Sequence, residues 1–263
     1  MEKIISFDGH EICFERTGTG RPLVLLHGLG MSAKVWQNQQ AGLADFFSVM
    51  ALDLRGHGRS TKDTTDFSIA AQAGDLRELL RQLDLKKVLL VGWSMGAAVA
   101  FRYLQDFAGE KRIEKLMLVG AGIDYRMAGK QQKEFQQWID LLTPDNNDWP
   151  GLFAAGCLAG AQTPENRRLL ERMVRDTGPA VIVESARCLA RESFTGLIPE
   201  INLPVLICCG KHETQRAVRA AHQLAQTLPC ARLIFFAKSG HSPFLQESKR
   251  FNREVINFGL KPF

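Results

Sequence analysis

Six short, unbroken apolar runs punctuate this chain, at 23–26, 49–52, 88–91, 116–119, 205–208 and 233–236. Four apolar residues in a row, without polar alternation, suit strands covered on both faces, as in a mainly parallel sheet. Several intervening stretches carry apolar residues at helical spacing. Ala73, Leu76, Leu80 and Leu83 do so within 67–83, and 97–104 and 218–228 are similar. The sequence therefore predicts an α/β fold with a mostly parallel central sheet flanked by helices on both faces. Ahead of this rhythm, residues 1–16 alternate well enough for two antiparallel strands turning at Asp8-Gly9.

The rhythm stops between 125 and 200. Helical segments are predicted near 131–142, 165–175 and 180–191, separated by Thr143-Pro144, Asp148-Trp149-Pro150 and Gly178-Pro179. Strands resume at Pro204. Because the flanking parts complete one pattern, 1–124 and 201–263 read as a single core into which 125–200 is inserted as a helical cap. A length of 263 residues suits one large domain of this kind.

Composition removes several classes of function. No apolar run approaches the roughly 18–20 residues that cross a membrane, and the opening Met1-Glu2-Lys3-Ile4-Ile5 lacks the apolar core of a signal peptide. Six cysteines without a C-x-x-C pair read as reduced, buried thiols of a cytoplasmic chain. The net charge of +5 is concentrated at 201–263, where nine Lys and Arg face three Asp and Glu. Lys249, Arg250 and Arg253 are there mixed with apolar residues, the pattern of a solvated helix face and not of a nucleic-acid partner.

The chemistry centres on Gly92-Trp93-Ser94-Met95-Gly96, at the junction of a buried strand and a helix. A serine in so tight a turn has its hydroxyl pushed out at the carboxyl edge of the sheet, and glycines must flank it because side chains would clash. An alcohol nucleophile needs a base, and the base an orienting acid. Among six histidines, His241 lies just past the last strand, on the edge that carries Ser94; His212, His27 and His57 compete with it. Glu213 ends the loop after the 205–208 run and is the candidate acid, with Asp124 in reserve. The amides of Leu29, in His27-Gly28-Leu29-Gly30, and of Met95 are the candidate oxyanion donors.

With these pieces in place the chain resembles the α/β-hydrolase superfamily over nearly its whole length. The resemblance rests on His27-Gly28-Leu29-Gly30, Asp53-Leu54-Arg55-Gly56-His57-Gly58-Arg59-Ser60, Gly92-Trp93-Ser94-Met95-Gly96 and Gly240-His241-Ser242-Pro243, in that order. The chain order Ser94, Glu213, His241 is that of the family's triad. The resemblance implies structural roles for Asp53, Arg55 and His57. It looks most like small carboxylesterases, including the pimeloyl-carrier methyl esterases of biotin synthesis, and like cofactor-free perhydrolases. Glu213 stands where Asp is commoner, and Ala97 where a second Gly is frequent.

The expected activity is that of a serine esterase acting on a small-molecule ester through an acyl-enzyme, without cofactor or metal, and losing activity in acid as His241 takes up a proton. Trp93, with Phe135, Trp138, Trp149 and Phe153, suggests an apolar acyl pocket. Arg168, Arg172 and Arg175, with Arg187 and Arg191, fall on helix faces that are either solvated or a dock for an acidic acyl carrier, as in a methyl esterase for a carrier-bound chain. Two other classes compete. A dinucleotide-binding fold would use Gly28-x-Gly30-x-x-Ala33 and Asp53, but explains neither the antiparallel opening nor the later Ser–Glu–His series. A hydrolase-fold ligand binder with little turnover is the other.

Overall fold

Eight strands build one sheet: β1 (Glu2–Ile5), β2 (Glu11–Thr17), β3 (Arg21–Leu26), β4 (Phe47–Leu52), β5 (Val88–Trp93), β6 (Ile113–Val119), β7 (Val205–Gly210) and β8 (Ala231–Phe236). Their order is β1-β2-β4-β3-β5-β6-β7-β8. The hairpin strand β2 runs antiparallel to β1 and β4, and every other pairing is parallel. The computed structural model describes residues 2–142, 146, 148–160 and 162–262. The expected break at Thr143-Pro144 lies outside them.

Each apolar run of the sequence falls inside one of these strands, and the pleat explains why both neighbours in a run are apolar. Leu23 and Leu25 enter one core cluster, while Val24 and Leu26 enter the cluster on the opposite face, all four fully buried. Burying each such side chain stabilises the fold by roughly 1.5–3 kcal/mol. Helices α1 (Gln37–Leu43), α2 (Ile69–Gln82) and α3 (Met95–Phe107) follow β3, β4 and β5. Leu76, Leu79, Val99 and Phe101 of α2 and α3 cover the Val24 face, whereas Leu43 of α1 covers the Leu23 face.

Between β6 and β7 stand α4 (Lys130–Leu141), α5 (Trp149–Cys157), α6 (Pro164–Thr177) and α7 (Pro179–Leu189). Helix α5 differs from expectation, since Asp148-Trp149-Pro150 reads as a break. Pro150 sits in the first turn of α5, where the absent N–H has no intrahelical acceptor to lose, so it begins a helix here. Trp149 is buried with Leu170, Met173, Val174 and Ile182, joining these helices to the Leu23-side core. The chain closes with α8 (Gln215–Thr227), α9 (Pro243–Gln246) and α10 (Ser248–Leu260). Among the described residues no helix is long and apolar enough to cross a membrane. All six cysteines are free, four of them buried, with Cys188 and Cys230 partly exposed. Because β3 and β5 to β8 are parallel, the loops that follow them gather at one edge of the sheet.

Candidate active site

Strand β5 ends at Trp93 and α3 begins at Met95, which leaves only Ser94 to make the turn. It adopts φ 53° and ψ −114°, a conformation that costs an L-residue about 1–3 kcal/mol. A Cβ on Gly92 would stand 2.6 Å from the Gly96 carbonyl oxygen, and one on Gly96 would stand 2.5 Å from that of Leu26. Both glycines are therefore required. The strained turn is held by the Ser94 amide, which donates to the Val119 carbonyl at 2.9 Å. The Tyr125 hydroxyl donates to the Ser94 carbonyl at 3.4 Å and accepts from the Gly122 amide at 3.0 Å. Burial pushes that phenol up to about 12, so it keeps its proton.

Glu213 follows β7 and His241 follows β8. Nδ1 of His241 is hydrogen-bonded to Oε1 of Glu213, and Oε2 accepts from the Thr214 amide at 3.2 Å. The Glu213 side chain is only 7% exposed. Burial pushes its carboxyl up, but the hydrogen bond and charge of His241, with the Thr214 amide, outweigh that and hold it below its ordinary value. Glu213 is thus an anion at neutral pH, beside the buried thiols of Cys157 and Cys209, which burial and its charge push up to about 12. Nε2 is the imidazole nitrogen not engaged by Glu213. Against the ring lies Gly120, at φ +56°, where a Cβ would be 2.6 Å from His241 Cε1 and 2.7 Å from Nδ1. Ser94 and His241 line one cavity of about 670 Å³, together with Gly120, Ile123, Tyr125 and residues of α8.

The loop after β3 lies against the turn at Ser94: a Cβ on Gly28 would be 3.3 Å from Ser94 Cβ. The amides of Leu29 and Met95 have no acceptor among the described residues. Two buried histidines brace this loop. His57 Nε2 accepts from the Gly30 amide at 3.1 Å, and its Nδ1 donates to the Arg55 carbonyl at 2.9 Å. His27 Nε2 accepts from the Leu54 amide at 3.0 Å, and its Nδ1 donates to the Gly28 carbonyl at 2.8 Å. Burial lowers His27 to about 4, and burial with the neighbouring His27 lowers His57 to about 3, so both rings are neutral. Asp53 accepts from the Ala33 amide at 2.6 Å and from Arg59 Nε at 3.0 Å. Arg55, fully buried, spans Asp75 and Asp8.

Ser94, Glu213, His241, Leu29 and Met95 are thus assembled at one edge. Trp93, beside Ser94 in the chain, packs below the loop of His241. Its side chain is 1% exposed, and its indole N–H donates to the His241 carbonyl at 2.8 Å. Together with Val91 it joins the core cluster on the Leu23 side of the sheet, beneath the His241 loop. Asp124 also lines the cavity but pairs with Arg126 at 2.7 Å, and the ring of His212 lies against Gly160. Phe135, Trp138 and Phe153 form a chain of rings 5.9 Å apart, and Phe153 reaches the loop at Gly30. Arg168 and Arg187 pair within their own helices, with Glu165 and Glu184. The roles of Gly120 and Tyr125 were not foreseen; the Gly120-x-Gly122 pair directly after β6 is the signal that marks a close approach there.

Comparison with known proteins agrees with this architecture. The chain is 30% identical to an uncharacterized protein of Mycobacterium tuberculosis, covering 95% of this chain and 78% of the other. It is 26% identical to a pimeloyl-[acyl-carrier protein] methyl ester esterase of Vibrio vulnificus, covering 95% and 99%. An esterase from Exiguobacterium antarcticum superposes with a TM-score of 0.92 at 26% identity, covering 98% and 99%. A family model for the alpha/beta hydrolase fold matches residues 21–248. The sheet, the tight turn at Ser94 and these likenesses agree: the chain belongs to the α/β-hydrolase fold family, with esterases among its neighbours.

Proposed function

We propose that this chain is a serine carboxylesterase that works through an acyl-enzyme, with residues 125–200 as a cap over its site. One observation carries the reading: the strained Ser94 shares a cavity with His241, whose Nδ1 is hydrogen-bonded to the buried, ionised Glu213. In this mechanism His241 Nε2 takes the proton of Ser94 Oγ as the oxygen attacks the ester carbonyl carbon. The carbonyl oxygen becomes an oxyanion and receives the amides of Leu29 and Met95. Collapse of the intermediate breaks the ester C–O bond, and His241 protonates the departing alcohol. Water, deprotonated by His241, then attacks the acyl carbon, the bond to Ser94 Oγ breaks as His241 returns the proton to that oxygen, and the acid leaves. Glu213 fixes the tautomer of the ring and stabilises its cationic form.

Mass spectrometry after treatment with a fluorophosphonate tests this. A single adduct on Ser94, absent from Ser94→Ala, is expected, together with turnover of p-nitrophenyl esters by the wild type. An intact protein that neither labels nor turns over would overturn the reading in favour of a ligand-binding role.

A second substrate reading comes from the Vibrio relative, named for a carrier-bound methyl ester, and from the exposed Arg168 and Arg172 of α6. If an acidic carrier docks there, reversing both to Glu should lower kcat/KM on the carrier-bound ester about tenfold relative to the free methyl ester, through slower encounter. An unchanged ratio would remove the carrier from consideration.

A further inference from the structure

Part of the basic excess of residues 201–263 lies at the site already described. Arg216 and Arg219 stand three residues apart on α8, the spacing that puts two side chains on one helix face, and both line the cavity that holds Ser94 and His241. Among the described residues neither has an ion-pair or hydrogen-bond partner. The anions nearby are already engaged. Asp124 receives Nε and a terminal nitrogen of Arg126 at 2.9 and 2.7 Å, and Glu213 is held by His241. Two exposed guanidinium side chains without an ion-pair partner among the described residues thus stand at the lining of the cavity, while Ala121, Ile123, Leu189 and Ala217 supply apolar wall.

We propose that the preferred substrates are esters whose acyl chain ends in a carboxylate, which Arg216 and Arg219 hold while the chain crosses the apolar wall to Ser94. The proposal rests on the serine-esterase reading of the same site and names its substrate class: monoesters of aliphatic dicarboxylic acids. A carboxylate matches the planar fork of a guanidinium bidentately. Anchoring the far end of the chain also removes part of the freedom that the ester carbonyl must lose to meet Ser94 Oγ.

The test compares kcat/KM for monomethyl esters of straight-chain dicarboxylates, from succinate to suberate, with methyl esters of monocarboxylates of matched length. Both series are run on the wild type, on the Arg216→Gln/Arg219→Gln double variant and on the double lysine variant. Fluorophosphonate labelling of Ser94 is measured on every preparation to show that the site is assembled. The wild type is expected to prefer a half-ester roughly 10- to 100-fold, the double glutamine variant to lose most of that preference, and the lysine variant to keep part of it. Salt at about 0.5 M should shrink the preference in the wild type. A labelled protein that turns over neutral esters as well as half-esters, or that keeps its preference without either guanidinium, overturns the carboxylate anchor and leaves the esterase reading standing. An unlabelled, inactive wild type overturns both.

Discussion

Alanine at Ser94, or at His241, is expected to lower kcat on a p-nitrophenyl ester by about 10⁴- to 10⁶-fold, with the double variant no worse than either alone. The non-additivity follows from the chemistry, since the base has no proton to take without the nucleophile and the nucleophile stays a neutral alcohol without the base. Glu213→Gln is expected to cost about 10³- to 10⁴-fold. The amide keeps the volume of the carboxyl but loses the negative charge that the imidazolium needs when the proton has moved. Asp124, tied to Arg126 by three hydrogen bonds, serves as the control. Asp124→Asn should leave kcat within about twofold, and a loss equal to that of Glu213→Gln would reassign the acid.

Acid is expected to weaken the fold by about 2–4 kcal/mol between pH 6.5 and pH 4, read as a falling urea midpoint. The cause is the buried pair His27 and His57, held near 4 and 3 against an ordinary value of 6.5. Between those values the unfolded chain binds protons that the folded chain refuses, so stability falls as the pH falls. At about 1.4 kcal/mol per tenfold change in proton affinity, the two rings set a ceiling of about 7 kcal/mol by pH 4. Asp75 works the other way. Burial pushes its carboxyl up to about 6 in spite of Arg55, which favours the folded state in acid and offsets about 3 kcal/mol of the loss. Protonation would also turn Nε2 of His57 from acceptor into donor against the Gly30 amide, one residue from Leu29. Activity should therefore be lost together with the loop. A midpoint that stays level from pH 6.5 to pH 4.5 would show that the rings are solvated.

The core and the tight turn at Ser94 were legible because their residues are under hard constraints. A strand covered on both faces has to read as an unbroken apolar run, and Gly92 and Gly96 have backbone atoms where a Cβ would stand. Helix α5 was hidden because Trp149-Pro150 has the composition of a break, and only its buried position shows that the proline begins a helix. The surroundings of Trp93 were hidden for a related reason: proximity in sequence to Ser94 says little about burial, and only the fold packs its ring against Phe244 beneath the His241 loop. The arginines of α8 look like any solvated pair until the fold sets them beside the loops that follow β6 and β8, at the lining of one cavity.

Gly160 forms an antiparallel bridge to Ser239, the Ala159 carbonyl accepts from Gln246 at 3.1 Å, and a Cβ on Gly240 would strike Ala159 at 2.5 Å. The turn after α5 is therefore stitched to the loop that carries His241. This sets the terms for transplanting helices from a relative to alter which esters are accepted. A donor segment that replaces α4, α6 and α7 but preserves Ala159-Gly160 keeps the imidazole's mounting intact. One that spans the turn must bring its own matching 239–246 loop, or the graft will exchange selectivity for turnover.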